Sequence, residues 1–176
     1  MPYCSNSFKS IPYDCSRSKG GIVEAYITNY VEGLYTLSAD TSGNPMITAI
    51  SAGTTWYKLQ FRRNVSNATS TLNVDPANGV NFVQTEVMLQ FNKQDTVKRA
   101  AVSALALGGA ALIYKDANGH YWALGYEDPV EASAGTGNSG TANTDGNNYQ
   151  ITLQDSQSDF PYEVAEAAVQ GLTFAD

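Results

Sequence analysis

A single histidine, His120, is the first residue to consider for chemistry, because imidazole is the most common general acid or base in enzymes. A catalytic triad would place it beside a serine or cysteine and a carboxylate. His120 directly follows Asn118-Gly119, a pair typical of hairpin turns, so we expect a solvated side chain without a shaped pocket. One histidine also gives too few ligands for a zinc site, and we expect neither a metal nor a cofactor.

Acidic side chains are the next candidates, because a pair of carboxylates can catalyse glycoside hydrolysis. No motif joins any two of them, and the candidates are scattered along the chain: Glu24, Glu86, Asp116, Glu127, Asp128, Glu131 and Glu163. The segment 135–140 matches GxGxxG in letters only, since no strong strand precedes it and no helix follows. The sequence therefore favours a protein that is not an enzyme.

Aromatic residues offer an alternative, a carbohydrate-binding surface. The chain has eleven tyrosines and two tryptophans, and the cluster that could form such a surface is Trp56, Tyr57, Tyr121, Trp122 and Tyr126. Aromatic residues in strands more often belong to a core or to a protein interface. A sugar-binding module is thus the alternative function that these residues leave open.

The composition points to self-assembly. Charged residues make up 15% of the chain, against about 25% in an average soluble domain, so much of the surface must be neutral and polar. Charge-poor surfaces are typical of faces that neighbouring subunits cover. The net charge of −7 argues against stable nucleic-acid binding, because phosphate contacts need clustered Lys and Arg. An acidic surface would instead let nucleic acid pass without sticking.

The N-terminal region bears on the compartment. No apolar run approaches the roughly 20 residues of a membrane span, and the first residues lack the order of a signal peptide. We expect synthesis in a cytoplasm. Cys4 and Cys15 could close a short disulfide loop, but a reducing cytoplasm predicts two unpaired thiols.

The sequence predicts strands over most of the chain, and these strands must position the candidate residues described above. Alternation and β-branched or aromatic residues predict strands over 21–30, 46–51, 55–62, 68–74, 81–91 and 149–154, with a hairpin over 110–126. A helix is predicted over 95–107, with Asp95 as N-cap and an alanine-rich stripe against a sheet. Residues 132–148 read as a long neutral loop. The fold prediction is mainly β: a β-sandwich or barrel of about seven to eight strands with one flanking α-helix.

One domain is expected over 21–164, between an N-terminal arm (1–20) and a C-terminal tail (165–176). Side-chain parity predicts its core, because residues two apart on a strand share a face. The predicted core residues are Tyr57, Leu59, Phe61, Val83, Val87, Leu89, Phe91, Ala101, Leu105, Ile151 and Leu153. The strand 81–91 is long enough that part of it should project beyond the main body.

The order of elements resembles that of phage tail tube proteins. The likeness lies in the long strand 81–91, the helix 95–107 directly after it and the hairpin 110–126. The closing stretch is similar to virion proteins of phages that infect Bacteroidetes, in Gly135-Thr136-Gly137, Thr144-Asp145-Gly146, the run 149–154 and Pro161-Tyr162-Glu163-Val164. The resemblance implies hexameric rings, stacked into a virion tube whose lumen conducts DNA as a passing, non-specifically bound cargo. Neck, tail-terminator and capsid-auxiliary proteins use similar folds and remain alternatives.

Within such a ring, the sequence predicts two functional surfaces. The polar face of the long strand, Gln84, Glu86 and Gln90, is expected to line the lumen, because the opposite face is aliphatic and must meet the core. A segment expected to pair with that strand places Lys58, Gln60 and Arg62 beside it, with Glu86 balancing their charge. The loop residues Gly135, Thr136, Gly137 and Asn138, together with the arm 1–20, are expected at subunit interfaces with other copies and other virion proteins.

Overall fold

The computed structural model describes residues 8–175, and within this range the chain is mainly β, a sandwich of two sheets. The predicted fold class is confirmed, with short additional strands raising the number above seven to eight. In chain order the elements are β1 (Ile22–Asn29), β2 (Tyr35–Ala39), β3 (Pro45–Ile50), β4 (Thr55–Leu59), β5 (Asn67–Asp75), β6 (Val80–Asn92), α1 (Thr96–Leu105), β7 (Ala110–Asp116), β8 (Tyr121–Leu124), β9 (Glu131–Asn138), β10 (Asn148–Gln157), β11 (Tyr162–Val164), α2 (Glu166–Gln170) and β12 (Thr173–Phe174).

The larger sheet has eight strands in the order β12-β4-β1-β7-β8-β11-β3-β2, and it curls so that both of its faces are covered. Ala110 to Tyr114 are therefore buried without a break, instead of alternating. One face encloses a cluster that includes Trp56 and Ile113. The other face packs on the smaller sheet. The segment predicted as a tail belongs to this sheet, because β12 pairs with β4 and Val169 of α2 is buried.

On β4 one predicted core residue, Tyr57, is not buried. Trp56 is fully buried and Tyr57 is 53% exposed. Alternation alone cannot decide which of two apolar faces of a strand is buried. Here the indole ring of Trp56, which is larger than the phenol ring of Tyr57, fills the interior of the curled sheet. Leu59 and Phe61 are half-buried against the core between the sheets.

The smaller sheet has four strands in the order β5-β6-β10-β9, and its apolar face closes the core between the sheets. β6 pairs along most of its length with β10 and with β5. The core prediction is confirmed on these strands for six residues, Val83, Val87, Leu89, Phe91, Ile151 and Leu153. The β5–β6 hairpin continues past Val83, where pairing with β10 ends, and exposes Leu72, Val74 and Val80 at its tip.

A buried carboxylate joins the two sheets. Asp155 of β10 is 1% exposed and accepts a 3.0 Å hydrogen bond from the backbone N–H of Gly125, just after β8. It also accepts a hydrogen bond from the side-chain amide of Gln157. Burial raises the pKa of Asp155, although these hydrogen bonds favour its ionised form.

The helix α1 begins where the sequence predicts, because the Asp95 side chain accepts a 2.8 Å hydrogen bond from the N–H of Lys98. Its packing differs from the prediction. Val102 and Leu105 pack on the core, whereas the alanine stripe that includes Ala101 faces solvent. Val97 is 78% exposed. Within residues 8–175, an apolar face of α1 therefore has no intramolecular partner.

The predicted loop 132–148 is also corrected. Residues 131–138 form β9, which pairs with β10, and only the connection that follows it is irregular. Gly and Ala have weak strand preferences, but an available neighbouring strand overrides them. Residues 8–20 form no helix or strand and are exposed, and Cys15 lies there. Cys4, its predicted companion, lies outside the described residues.

Candidate functional site

His120 lies at the surface, as predicted. Its side chain is 54% exposed, and its Nδ1 is 2.7 Å from Oε1 of Glu163. Asp116 shapes the turn before it by accepting hydrogen bonds from the N–H groups of Asn118 and His120. The hydrogen bond with Glu163 raises the pKa of His120, because the carboxylate favours the charged imidazole. This arrangement is an exposed ion pair next to a tight turn.

Residues 8–175 contain no group of three or more His, Cys, Asp or Glu side chains that could hold a metal ion. The aromatic cluster considered for sugar binding does not form one exposed strip, because Trp56 and Tyr121 are buried inside the curled sheet while Tyr57 faces the other side. In the described part of the chain, no helix has both the length and the apolar character needed to cross a membrane.

The most distinctive surface is the outward face of the four-stranded sheet, which we call the polar face. On β6 it carries Gln84, Glu86 and Gln90 together with the half-buried Phe82 and Met88, while Val83, Val87 and Leu89 point into the core. Alternation places side chains from the other three strands on the same face, among them Thr69, Thr71, Gln150, Thr152, Gln154, Thr136 and Glu131. The sequence correctly groups the three β6 residues on the face opposite the core.

The charge of this sheet is entirely acidic. β5, β6, β9 and β10 contain no Lys or Arg, while Glu86 and Glu131 lie on the polar face. Register places Glu86 opposite Gln154, whose other neighbour is Glu131. The side-chain amide of Gln84 lies 3.5 Å from Oε1 of Glu86. The polar face is therefore negative or neutral across its width.

The basic residues expected beside the long strand lie elsewhere. β4 pairs with β1 and β12, so the expected pairing with β6 is wrong. Lys58 forms a 3.2 Å ion pair with Glu24, and its Nζ is 5.8 Å from the centre of the Tyr26 ring. A 2.6 Å hydrogen bond from Tyr26 lowers the pKa of Glu24. The expected balancing of Lys58 by Glu86 is accordingly replaced by an ion pair in the other sheet.

Gln60 and Arg62 belong to the same region as Lys58. Both follow in the segment after β4 and are exposed. Neither lies on the four strands that form the polar face. The sequence grouped these residues with Gln84 because alternation gives each strand a polar side, but it does not state which strands are neighbours.

Among the strands of the described residues, none pairs with either outer strand of the four-stranded sheet on its free side, so both edges are open. β5 and β9 are its outer strands, with nine and eight residues. Proteins usually protect such edges with Lys, Pro or very short strands. Neither edge strand contains Lys, Arg or Pro. The predicted interface residues Gly135, Thr136, Gly137 and Asn138 lie on the β9 edge.

Sequence reasoning missed the matching edge, β5. A signal was present, because the stretch from Asn67 to Asp75 is strand-like and lacks any basic residue or proline that would block pairing. No protein-family model, curated protein or solved structure matches this chain.

Proposed function

We propose that this chain is a virion structural protein, the subunit of a phage tail tube, which forms hexameric rings that stack around a DNA-conducting lumen. The observation that carries the proposal is a sheet with one acidic and neutral face and two unprotected edges. The role in a phage tail rests on the resemblance in element order.

Edge-to-edge pairing of copies is compatible with the strand directions. Each neighbouring pair in the order β5-β6-β10-β9 is antiparallel, so β5 and β9 run in opposite directions. When copies are related by rotation about a ring axis, β9 of one copy meets β5 of the next as an antiparallel pair. An even number of strands allows a continuous antiparallel barrel.

The stagger of the two edges also fits a barrel. Traced through the registers, the middle of β9 is level with Leu89 of β6, and the middle of β5 is level with Gln84. The offset of about five residues corresponds to about 16 Å along the strands, while four strands are about 19 Å wide. Aligning the edges then requires a tilt of about 40°, within the roughly 35–45° typical of closed barrels.

Ring size follows from the same geometry. Six copies give 24 strands, and with this tilt the barrel measures about 49 Å between opposite backbones. Such a barrel keeps an open lumen after side chains from both walls are counted, because barrels of 16–18 strands already enclose a channel. The larger, curled sheet packs on the apolar face, so its bulk fits only outside the ring. The polar face then points inward.

The chemistry of that face suits transport of DNA. A wall with carboxylates and neutral amides and hydroxyls repels phosphate or binds it weakly, whereas Lys and Arg would retain it. Gln84, Glu86 and Gln90 are the proposed lumenal residues of β6. Lys58, Gln60 and Arg62 are not part of this proposal, because they belong to the region of the other sheet.

The edge pairing is tested by placing a lysine at Gly135. The site has room, because an added Cβ would lie 3.6 Å from the nearest atom, the carbonyl oxygen of Gln150. Gly135→Lys should give folded subunits without rings in negative-stain microscopy, since Gly135 lies opposite Ile151 and a charge on the core-facing side of an edge strand blocks that edge. The control Asn143→Lys adds the same charge to the connection after β9 and should form normal rings. Normal rings from Gly135→Lys would refute edge pairing.

The lumenal assignment is tested by thiol labelling of assembled tubes. The background chain carries Cys4→Ser and Cys15→Ser, so that only an introduced cysteine reacts. A cysteine in Glu86→Cys should react slowly with a bulky maleimide in tubes and rapidly after disassembly, whereas Asn143→Cys should react rapidly in both. Rapid, complete labelling of intact tubes at position 86 would refute the lumenal assignment. Single rings that never stack would favour a neck or tail-terminator role over a tube.

A further inference from the structure

A second apolar surface lies apart from the open sheet edges. α1 and the adjacent strands β1 and β4 enclose a groove of about 420 Å³, which we call the α1 groove. Residues lining it include Ile27, Tyr57, Leu59, Ala101, Ala104 and Leu105. The apolar helix face described above forms one of its walls, and Tyr57, 53% exposed, forms the other.

The N-terminal arm has the complementary feature. Phe8, Ile11 and Tyr13 are 90%, 96% and 90% exposed, so these three large apolar side chains on one short segment are almost uncovered by residues 8–175. Hydrogen bonds connect the arm to its own domain. The N–H of Lys19 donates to the Asn118 side chain at 2.8 Å, and Nζ of Lys9 donates to the Asn44 side chain at 2.7 Å.

The direction of the arm leads away from its own groove. The arm joins β1 at Ile22, which is opposite Asp116 of β7, and Asn118 lies at that same end. The groove lies at the other end of the pair, where Asn29 is opposite Ala110. Ile22 and Asn29 are about 23 Å apart along an extended strand. Arm and groove therefore occupy opposite ends of one domain.

Charge also favours docking of the arm on another copy. The arm, residues 1–20, contains Lys9, Arg17 and Lys19 against Asp14, a net charge of +2. The rest of the chain has seven basic and sixteen acidic residues, a net charge of −9. A basic arm is attracted to an acidic domain, which assists the encounter of two copies.

We propose that the N-terminal arm of one copy docks in the α1 groove of a second copy, with apolar side chains from Phe8, Ile11 and Tyr13 filling the groove. Since arm and groove lie at opposite ends, the contact is head-to-tail, and such contacts produce closed rings or extended filaments. The inference rests on the proposed self-assembly and adds an interface distinct from the pairing of β5 with β9.

Disulfide trapping between two different chains tests this contact, in a background with Cys4→Ser and Cys15→Ser. Chains with Ile11→Cys are mixed with chains with Ala104→Cys under mild oxidation, so that every mixed disulfide joins two copies. The matched control pairs Ile11→Cys with Ser103→Cys, the exposed neighbouring residue that does not line the groove. Docking should make the disulfide between positions 11 and 104 (the 11–104 link) form at least about tenfold faster than the disulfide between positions 11 and 103 (the 11–103 link). The reason is that docking raises the local concentration of the two thiols at positions 11 and 104.

Equal rates, or no 11–104 link, would overturn the proposal. Adding Phe8→Ser and Tyr13→Ser to the Ile11→Cys chain should reduce the rate to that of the control, whereas Ser10→Ala should leave it unchanged. These residues are exposed, so their replacement leaves the fold intact. Microscopy of the same mixtures separates the two proposals: rings without the link refute arm docking alone, and the link without rings or tubes refutes the tail tube proposal alone.

Discussion

Gly125 is the position where a single added methyl group should most clearly reveal how closely the turn after β8 packs on β7. The residue is buried just after β8 and has a φ of +82°. A Cβ there would lie 3.0 Å from the carbonyl oxygen of Ala110 and 3.0 Å from Cα of Ala111. Both atoms belong to the backbone of β7, so they cannot turn aside as a flexible side chain would.

Two terms give the expected cost of Gly125→Ala. A left-handed backbone costs an L-residue about 1–2 kcal/mol. Overpacking of a filled interior adds about 1–3 kcal/mol. The free energy of unfolding should thus fall by roughly 2–5 kcal/mol. The same displacement would disturb the hydrogen bond from the Gly125 N–H to Asp155.

Gly43→Ala is the matched control. Gly43 has a similar φ of +77°, but nothing lies within 4 Å of an added Cβ. Its cost should be the backbone term alone, about 1–2 kcal/mol. Urea denaturation of both variants at one low protein concentration measures the difference, and the slope with denaturant should stay unchanged. Equal losses for the two variants would refute the close contact between β7 and the turn after β8.

Three further predictions concern the core and the titrating groups. Leu89→Ala removes a fully buried side chain between the sheets and should lower the free energy of unfolding by about 2–5 kcal/mol; a neutral result in urea would mean that β6 has the opposite register. Burial raises the pKa of Asp155 in the folded protein, so its contribution to stability is present below the unfolded pKa and is lost as pH rises through the folded pKa. As pH rises from 4 to 7, the stability of Asp155→Asn, measured by urea midpoints, should therefore increase relative to that of the wild type. A difference between the two proteins that does not change with pH would contradict this. The pKa of His120 should lie above 6.5 in an NMR titration and should fall in Glu163→Gln. Because the pair is exposed, its contribution to stability should stay below about 1 kcal/mol. That contribution should be present at acidic pH and should be lost as pH rises through the folded pKa of His120.

Local sequence signals determined a large part of this fold. The alternation around Val87 and Leu89 was sufficient to assign their face, because a strand with one aliphatic and one polar side has a single low-energy orientation against a core. Asp95 marked the start of α1, since its carboxylate can satisfy the free amides of the first turn. Asn118-Gly119 marked the hairpin before His120 through its preference for positive φ.

Only the tertiary structure decided features that depend on which elements are neighbours. The sequence could not decide which aromatic side chain of β4 is buried, because both faces of the curled sheet meet apolar residues and Trp56 and Tyr57 lie on opposite faces. It could not place Lys58 beside Glu24, because strand order is not encoded in alternation. It could not make β9 from a Gly-, Ala- and Ser-rich stretch, because that strand exists through its pairing with β10. The open edges, the acidic polar face and the unfilled α1 groove all arise from this arrangement of elements, since burial and pairing are properties of the whole fold and not of any one segment.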